Sequence, residues 1–191
     1  MIRALLCVAA ALALAGCGGS DTKDSGTPSP PTEKAVPADA VMKTSEGSFT
    51  IRLNVADAPN AVASFEQLAR DGFYDGLTFH RIVPGFVIQG GDPQGDGTGG
   101  PGYTTVDTPP QDTQYVKGVV AMAKRQDEAA GTAGSQFFVV TGANVGLPPD
   151  YAVLGKVTDG MAVVEKIDKL GGPDEQPTEK VTIESVTIDP T

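Results

Sequence analysis

Residues 79–92 decide the fold, and they read FHRIVPGFVIQGGD. Two apolar runs of this stretch flank the dipeptide Pro84-Gly85. Pro fixes φ and Gly tolerates positive φ, so the dipeptide predicts a tight turn. The stretch is therefore predicted to form two neighbouring strands joined by that turn.

Alternation assigns side chains of this stretch to the faces of the two strands. Phe79 and Arg81 are expected on one face of the first strand, and Phe86 and Ile88 on one face of the second. An arginine in a lone strand usually faces water. Here Gln89 is a second polar residue among apolar neighbours, and the two together indicate a pocket wall with fixed polar groups on an apolar floor.

The composition narrows the classes of function. The chain has 191 residues and a formal net charge of −10, which suits one compact domain with a tail and offers no basic patch for nucleic acid. Cys7 and Cys17 both precede the predicted domain, and His80 is the single histidine. A metal site built on cysteine or histidine, or a Ser-His-Asp triad, is therefore not expected. We expect no metal and no cofactor.

Residues 1–16 predict an export signal. A short basic start precedes an apolar run over residues 4–15, which is shorter than the roughly 20 residues that span a bilayer and fits a secretory signal. The run leads into LAGC at residues 14–17, which resembles the bacterial lipobox. That resemblance implies cleavage before Cys17 and a lipid on its sulfur, which would anchor the exported protein to the outer face of the cell membrane. The alternative is an ordinary signal peptide with an incidental cysteine.

Residues 17–38 predict a disordered tether. They are mostly Gly, Ser, Thr, Pro, Asp and Lys, with too little apolar surface to order themselves. Their prolines favour an extended, semi-rigid spacer. The folded domain is then expected over residues 39–191.

Residues 90–103 are dense in glycine and resemble two ligand-binding motifs only in part. The sequence GDGTGG at residues 95–100 has the spacing of a dinucleotide-binding turn, but Pro101 follows where a helix is required. A calcium loop beginning at Asp92 would need Glu at its twelfth position, where this chain has Tyr103. We therefore predict an irregular loop whose glycines let the backbone lie close to a neighbouring group.

The rest of the chain predicts a mainly β fold. Alternation or β-branched runs predict further strands over residues 41–44, 48–53, 116–123, 135–141, 152–157 and 181–188. Helical spacing predicts one helix that begins near Pro59, with Asp57 as its cap, and another over residues 161–170. Many short strands with two helices indicate a closed antiparallel β-barrel whose ends are capped by the helices.

Two motifs resemble those of a known family. Residues 79–92 resemble the cyclophilin signature, residues 134–138 (GSQFF) resemble the second cyclophilin motif, and the resemblance runs in order from about residue 41 to residue 188. Cyclophilins are peptidyl-prolyl cis-trans isomerases with an eight-stranded antiparallel barrel and two capping helices. The resemblance therefore implies a monomeric isomerase that binds proline-containing segments of unfolded or exported proteins without a cofactor.

The resemblance also implies roles for individual residues. Arg81 matches the catalytic arginine, and Gln89 matches the glutamine that orients it and contacts the peptide. His80 lies beside the arginine and receives no catalytic role. The residues expected to bind substrate are Phe86, Val87, Gly97, Ala123, Gln136, Phe138, Leu147 and Tyr151. Within that set, Phe86, Phe138 and Leu147 match the pocket for the proline ring.

Several positions depart from the family pattern. Val87 stands where many members have Met, and Tyr151 stands at the position of a pocket histidine. Lys124 and Arg125 replace the Asn-Ala pair that normally follows Ala123 and whose Asn makes hydrogen bonds to the peptide. Gly146 stands where drug-binding members carry Trp, so weak or no cyclosporin binding is expected. The changes at Lys124, Arg125 and Tyr151 support a second hypothesis, a catalytically weak module of the same fold that binds proline-containing peptides as a chaperone or scaffold.

Overall fold

The computed structural model describes residues 28–191, which contain ten strands and two α-helices. The strands are β1 (Ala38–Thr44), β2 (Gly47–Leu53), β3 (Thr78–Val83), β4 (Val87–Asp92), β5 (Thr105–Val106), β6 (Val119–Met122), β7 (Thr132–Ala133), β8 (Phe137–Val140), β9 (Val153–Asp159) and β10 (Ile183–Pro190). The helices are α1 (Pro59–Arg70) and α2 (Met161–Asp168), and a short 3₁₀ turn follows at Pro173–Glu175.

Eight strands form one antiparallel sheet in the order β10-β1-β2-β9-β6-β8-β4-β3, while β5 and β7 pair separately. The sheet curls until its edge strands meet at one bridge between Thr78 and Thr182, and the Phe79 N–H donates to the Val181 carbonyl at 3.0 Å. The predicted mainly β fold with eight antiparallel strands and two helices is confirmed. The predicted full closure is not, because the antiparallel register places Thr78, the first residue of β3, opposite Thr182, just before β10 begins, so the two edge strands meet only at their starts.

The predicted turn between β3 and β4 is present. The Phe86 N–H donates to the Val83 carbonyl at 2.9 Å, and Gly85 has the positive φ of 71° that a type II turn requires. The carboxylate of Asp168, at the end of α2, accepts the Gly85 N–H at 3.1 Å. The same carboxylate accepts the Thr141 hydroxyl, so this side chain fixes the turn against the neighbouring strand β8.

Two local features move side chains from the faces that alternation predicts. A bulge separates Phe79 from Arg81 and leaves His80 as the extra residue, so Phe79 joins the inner core while Arg81 lies on the outer face. Phe86 precedes β4 and packs against the outer cluster, whereas Ile88 is buried in the inner one. The bulge and the turn therefore bring Arg81 and Phe86 to the same face.

Both faces of the sheet bury apolar side chains. The larger, inner cluster includes the apolar faces of both helices, and its centre is the ring of Phe137. That ring meets Phe65, Tyr74 and Phe79 edge-on, with centroids 6.2, 6.0 and 5.9 Å away. The smaller cluster, on the outer face, contains the buried residues Val87, Tyr115, Val119, Ala121, Phe138 and Val140.

Helix α1 begins at Pro59 as predicted, but its cap differs from the prediction. The N-cap is Ala58, which makes no side-chain capping bond, and the carboxylate of Asp57 accepts a hydrogen bond from Asn54 instead. The carboxylate that meets the helix start is that of Asp107, which accepts the Ala61 N–H at 2.6 Å. A free N–H at a helix start attracts any nearby carboxylate, including one that the fold brings from 46 residues away.

The last residues of the predicted tether contact the domain. β1 begins at Ala38, Ala35 packs against the inner core, and the Thr191 N–H donates to the Pro37 carbonyl at 3.1 Å. The predictions for residues 1–16 and for Cys17 lie outside the described residues. Over residues 28–191, every helix is too short or too polar to cross a membrane.

Candidate active site

A row of paired residues crosses four neighbouring strands on the outer face. Arg81 of β3 lies opposite Gln89 of β4, and Gln89 lies opposite Phe138 of β8. Phe138 in turn lies opposite Ala121 of β6. Because residues directly opposite each other in an antiparallel sheet share a face, a cation, an amide and an aromatic ring stand side by side.

Polar side chains along this row form a chain of hydrogen bonds. Arg81 Nη1 donates to Gln89 Oε1 at 3.3 Å, and Gln89 Nε2 donates to Gln136 Oε1 at 3.0 Å. Gln136 Nε2 donates to the carbonyls of Gly97 and Gly99 at 3.0 and 2.9 Å. Each group holds the next, so the orientation of the guanidinium is tied to the glycine-rich loop.

The apolar part of the site is the outer cluster. Val87 and Phe138 are buried, whereas the other apolar residues expected at the site are partly exposed and pack against them. Those partly exposed residues are Phe86, Ala123, Leu147 and Tyr151. The rings of Phe138 and Tyr151 meet edge-to-face with centroids 5.4 Å apart. The structure thus brings these residues together beside the chain of polar groups.

Tyr115 is a residue of this pocket that sequence reasoning missed. It is 1% exposed, and its hydroxyl both donates to the Tyr151 carbonyl at 2.7 Å and accepts the Tyr151 N–H at 2.9 Å. Burial is the main reason that the pKa of Tyr115 rises to about 12. A buried tyrosine generally finds a partner for its hydroxyl, but nothing in the sequence around residue 115 identifies which one.

The unusual basic pair lies at the edge of the pocket. Lys124 Nζ lies 5.7 Å from the ring centroid of Tyr151 and donates to the carbonyls of Arg125 and Glu128 at 3.3 and 3.1 Å. Arg125 pairs with Asp127 and Glu128 within the same loop. A groove of about 430 Å³ separates this loop from the glycine-rich one. The two cations are therefore engaged by their own loop and by Tyr151.

The glycine-rich loop wraps the carboxylate of Asp92, as its predicted close approach requires. Asp92 accepts the N–H groups of Gln94, Asp96 and Gly97 at 2.8, 3.1 and 2.6 Å. Burial raises the pKa of Asp92, but the hydrogen bonds from backbone N–H groups outweigh it and leave the pKa below its usual value. A Cβ on Gly99 would collide with this carboxylate, so the loop needs glycine there. Asp92 thereby fixes the backbone that receives Gln136.

His80, the neighbour of Arg81 in the chain, is buried. Its side chain is 8% exposed, and neither ring nitrogen has a hydrogen-bond partner within residues 28–191. Burial is the main cause that lowers the pKa of His80, and the charge of Arg81 adds to it, against the attraction of Asp92 and Asp96. The imidazole is therefore neutral at neutral pH.

This burial predicts a loss of stability in mild acid. The folded-state pKa of His80 lies below the ordinary value of 6.5, so the unfolded chain takes up the proton first. The free energy of unfolding should fall as the pH drops from about 6.5 through the folded-state pKa. Urea unfolding between pH 5 and pH 7.5 would measure this, and His80→Gln should remove this part of the slope. An equal slope in the variant would contradict the prediction.

Comparisons with known proteins agree with this architecture. The family described as cyclophilin type peptidyl-prolyl cis-trans isomerase/CLD matches residues 40–188. Peptidyl-prolyl cis-trans isomerase B of Bacillus subtilis is 50% identical over 105 residues, which span 54% of this chain and 71% of the relative. The peptidyl-prolyl cis-trans isomerase of Helicobacter pylori strain 26695 is 41% identical over 138 residues, which span 71% and 83%.

Solved structures show the same fold. A cyclophilin type peptidyl-prolyl cis-trans isomerase of Cryptosporidium parvum superposes with a TM-score of 0.75 at 28% identity, covering 81% of this chain and 99% of that one. A second structure of that protein, in the presence of the dipeptide Ala-Pro, has a TM-score of 0.73 and 28% identity, with 80% and 99% covered. With the family match over most of the chain, these likenesses show that the chain belongs to the cyclophilin-type peptidyl-prolyl cis-trans isomerases.

Proposed function

We propose that this isomerase accelerates rotation about X-Pro bonds in exported proteins, with Arg81 stabilising the twisted amide and the proline ring held in the outer cluster. The proposal rests on the row of paired residues that crosses β3, β4 and β8. In it, the guanidinium of Arg81 is held by Gln89 beside the ring of Phe138. The C. parvum relative was solved in the presence of Ala-Pro, which supports a proline-containing peptide as the ligand here.

The proposed chemistry needs a fixed hydrogen-bond donor and an apolar clamp. Rotation breaks amide resonance, at a cost of about 18–20 kcal/mol, and the proline nitrogen then regains a lone pair. A guanidinium donates to that lone pair and stays charged at any physiological pH. A donor that is already oriented stabilises the twisted geometry more than water does. Phe86, Phe138 and Leu147 would hold the ring while the preceding carbonyl turns.

The second candidate function, a peptide-binding module with weak turnover, is favoured by the basic pair. Lys124 stands where the family has an asparagine that bonds the peptide, and its ammonium donates to the carbonyls of Arg125 and Glu128. NMR exchange spectroscopy on a proline peptide with the full chain in detergent micelles separates the two functions. An isomerase raises the cis-trans exchange rate in proportion to its concentration, whereas a pure binder only shifts the peaks.

We propose as well that a lipid on Cys17 anchors the domain to the outer face of the cell membrane. The proposal is based on LAGC at residues 14–17 after an apolar run. Metabolic labelling with a palmitate analogue should label the wild-type protein and its Cys7→Ala variant. Cys17→Ala should remain unlabelled and leave the membrane fraction. An unlabelled wild-type protein, or a Cys17→Ala variant that stays with the membrane, would rule the anchor out.

A further inference from the structure

A turn after α2 brings a carboxylate to the guanidinium of Arg81. Glu175 Oε2 lies 2.5 Å from Arg81 Nε, although the two residues are 94 positions apart in the chain. The turn is closed at its base by a bridge between Gly171 and Pro177 and by a hydrogen bond from the Gly172 N–H to the Gln176 carbonyl at 2.8 Å. Its backbone therefore presents Glu175 to the site from outside the sheet.

The backbone of this turn is in an unfavourable conformation. Within residues 28–191, the non-glycine residues with positive φ are Asp174, at 60°, and Glu175, at 63°. Such conformations cost free energy and occur where the surroundings impose them, often at functional sites. Glycine would remove the strain at either position. At residue 175, however, glycine would also remove the carboxylate that meets Arg81.

The two partners of Arg81 hold different edges of its guanidinium. Glu175 binds Nε and Gln89 binds Nη1. Within residues 28–191, Nη2 has no hydrogen-bond partner. A planar group held at two of its nitrogen atoms has a fixed plane, so the third nitrogen points in a defined direction. The carboxylate thus leaves one donor edge of the guanidinium open.

We propose that Glu175 is a positioning residue, which orients Arg81 so that its free Nη2 edge faces the substrate amide. This inference rests on the proposed role of Arg81. A carboxylate that blocked the site would compete with the substrate for Nη2. Glu175 instead binds Nε and leaves Nη2 free. The pair is also partly in water, with side-chain exposures of 33% for Arg81 and 52% for Glu175. An ion pair exposed to this extent contributes little free energy. It is therefore better suited to orienting the guanidinium of Arg81 than to keeping substrate out of the site.

Substitution of Glu175 tests the proposal, with its neighbour as a matched control. Glu175→Ala should lower kcat about five- to tenfold and change KM by less than about twofold, because the guanidinium loses its orientation and the pocket is unchanged. Asp174→Ala removes the same charge from the same strained turn and should leave both constants within about twofold. Glu175→Gln keeps an oxygen acceptor but loses the charge, so it should recover kcat only in part and, like Glu175→Ala, should show no salt dependence. An unchanged kcat in Glu175→Ala, or an increase, would overturn the proposal.

The salt dependence of kcat distinguishes a positioning role of Glu175 from a purely structural one. Raising NaCl from about 50 mM to about 500 mM screens exposed ion pairs, so the kcat of the wild-type protein should fall toward that of Glu175→Ala, whose own kcat should stay flat. Equal salt dependence of kcat in both proteins would contradict the positioning role of Glu175.

Arg81→Ala separates the two proposals. If it is fully active, the role of Arg81 fails, and if it is inactive while Glu175→Ala is unaffected, only the positioning role fails.

Discussion

We expect Arg81→Ala to lower kcat/KM on a proline tetrapeptide at least tenfold while the protein stays folded. A hydrogen bond from a charged donor contributes about 1.5–3 kcal/mol, and each factor of ten in rate corresponds to about 1.4 kcal/mol. The loss of this donor therefore predicts a decrease of about 10- to 100-fold. The Arg81 side chain is 33% exposed, so its removal should change the free energy of unfolding by less than about 1 kcal/mol. Steady-state kinetics and urea unfolding measure the two quantities.

Two further variants make the Arg81 result specific. Arg52→Ala removes an arginine that also pairs with a carboxylate, that of Asp39, but on a different part of the sheet, and it should keep full activity. Arg81→Lys keeps the charge but loses the planar group that contacts Glu175 and Gln89 together, so it should recover little activity. Activity in Arg81→Ala equal to that of the wild-type protein would remove the guanidinium from the mechanism.

Local chemistry in the sequence predicted that Arg81 and Gln89 lie on two strands joined by a turn. Pro84-Gly85 forms the predicted turn, and the turn sets the pairing that places Arg81 opposite Gln89. Gln136 belongs to the second motif, and it meets Gln89 because β8 pairs with β4 in the same sheet. The turn is encoded by a short stretch of sequence, whereas the face on which Arg81 lies is set by the bulge at His80.

Other parts of the site depend on contacts that no short stretch encodes. Glu175 reaches Arg81 across 94 positions, and Tyr115 reaches Tyr151 across 36. In both cases the residue lies in a turn or loop, where neither a period of 2.0 nor one of 3.6 assigns a direction to the side chain. The bulge at His80 is a similar case, because strict alternation placed Phe79 and Arg81 on one face and the extra residue separates them.

We expect Phe137→Ala to lower the free energy of unfolding by about 3–5 kcal/mol, the range found when a buried phenylalanine is cut back to alanine. The ring is 0% exposed and packs edge-on against Phe65, Tyr74 and Phe79, so the cavity would be lined by other large groups that cannot close it. Urea unfolding with the wild-type protein alongside measures the change. A loss below about 1 kcal/mol would mean that this cluster is not the centre of the core.

The neighbouring residue is the matched control, because successive side chains of a strand point to opposite faces. Phe138 lies in the outer cluster beside Tyr151 and is 4% exposed. Phe138→Leu keeps an apolar side chain there and should cost less than about 2 kcal/mol in stability, while kcat/KM falls severalfold as the ring pocket loses its flat wall. Phe137→Leu should show the opposite pattern at a temperature where it is folded, with larger destabilisation and nearly full activity. If both variants lost activity equally, the inner core and the outer pocket would not be separate functional units.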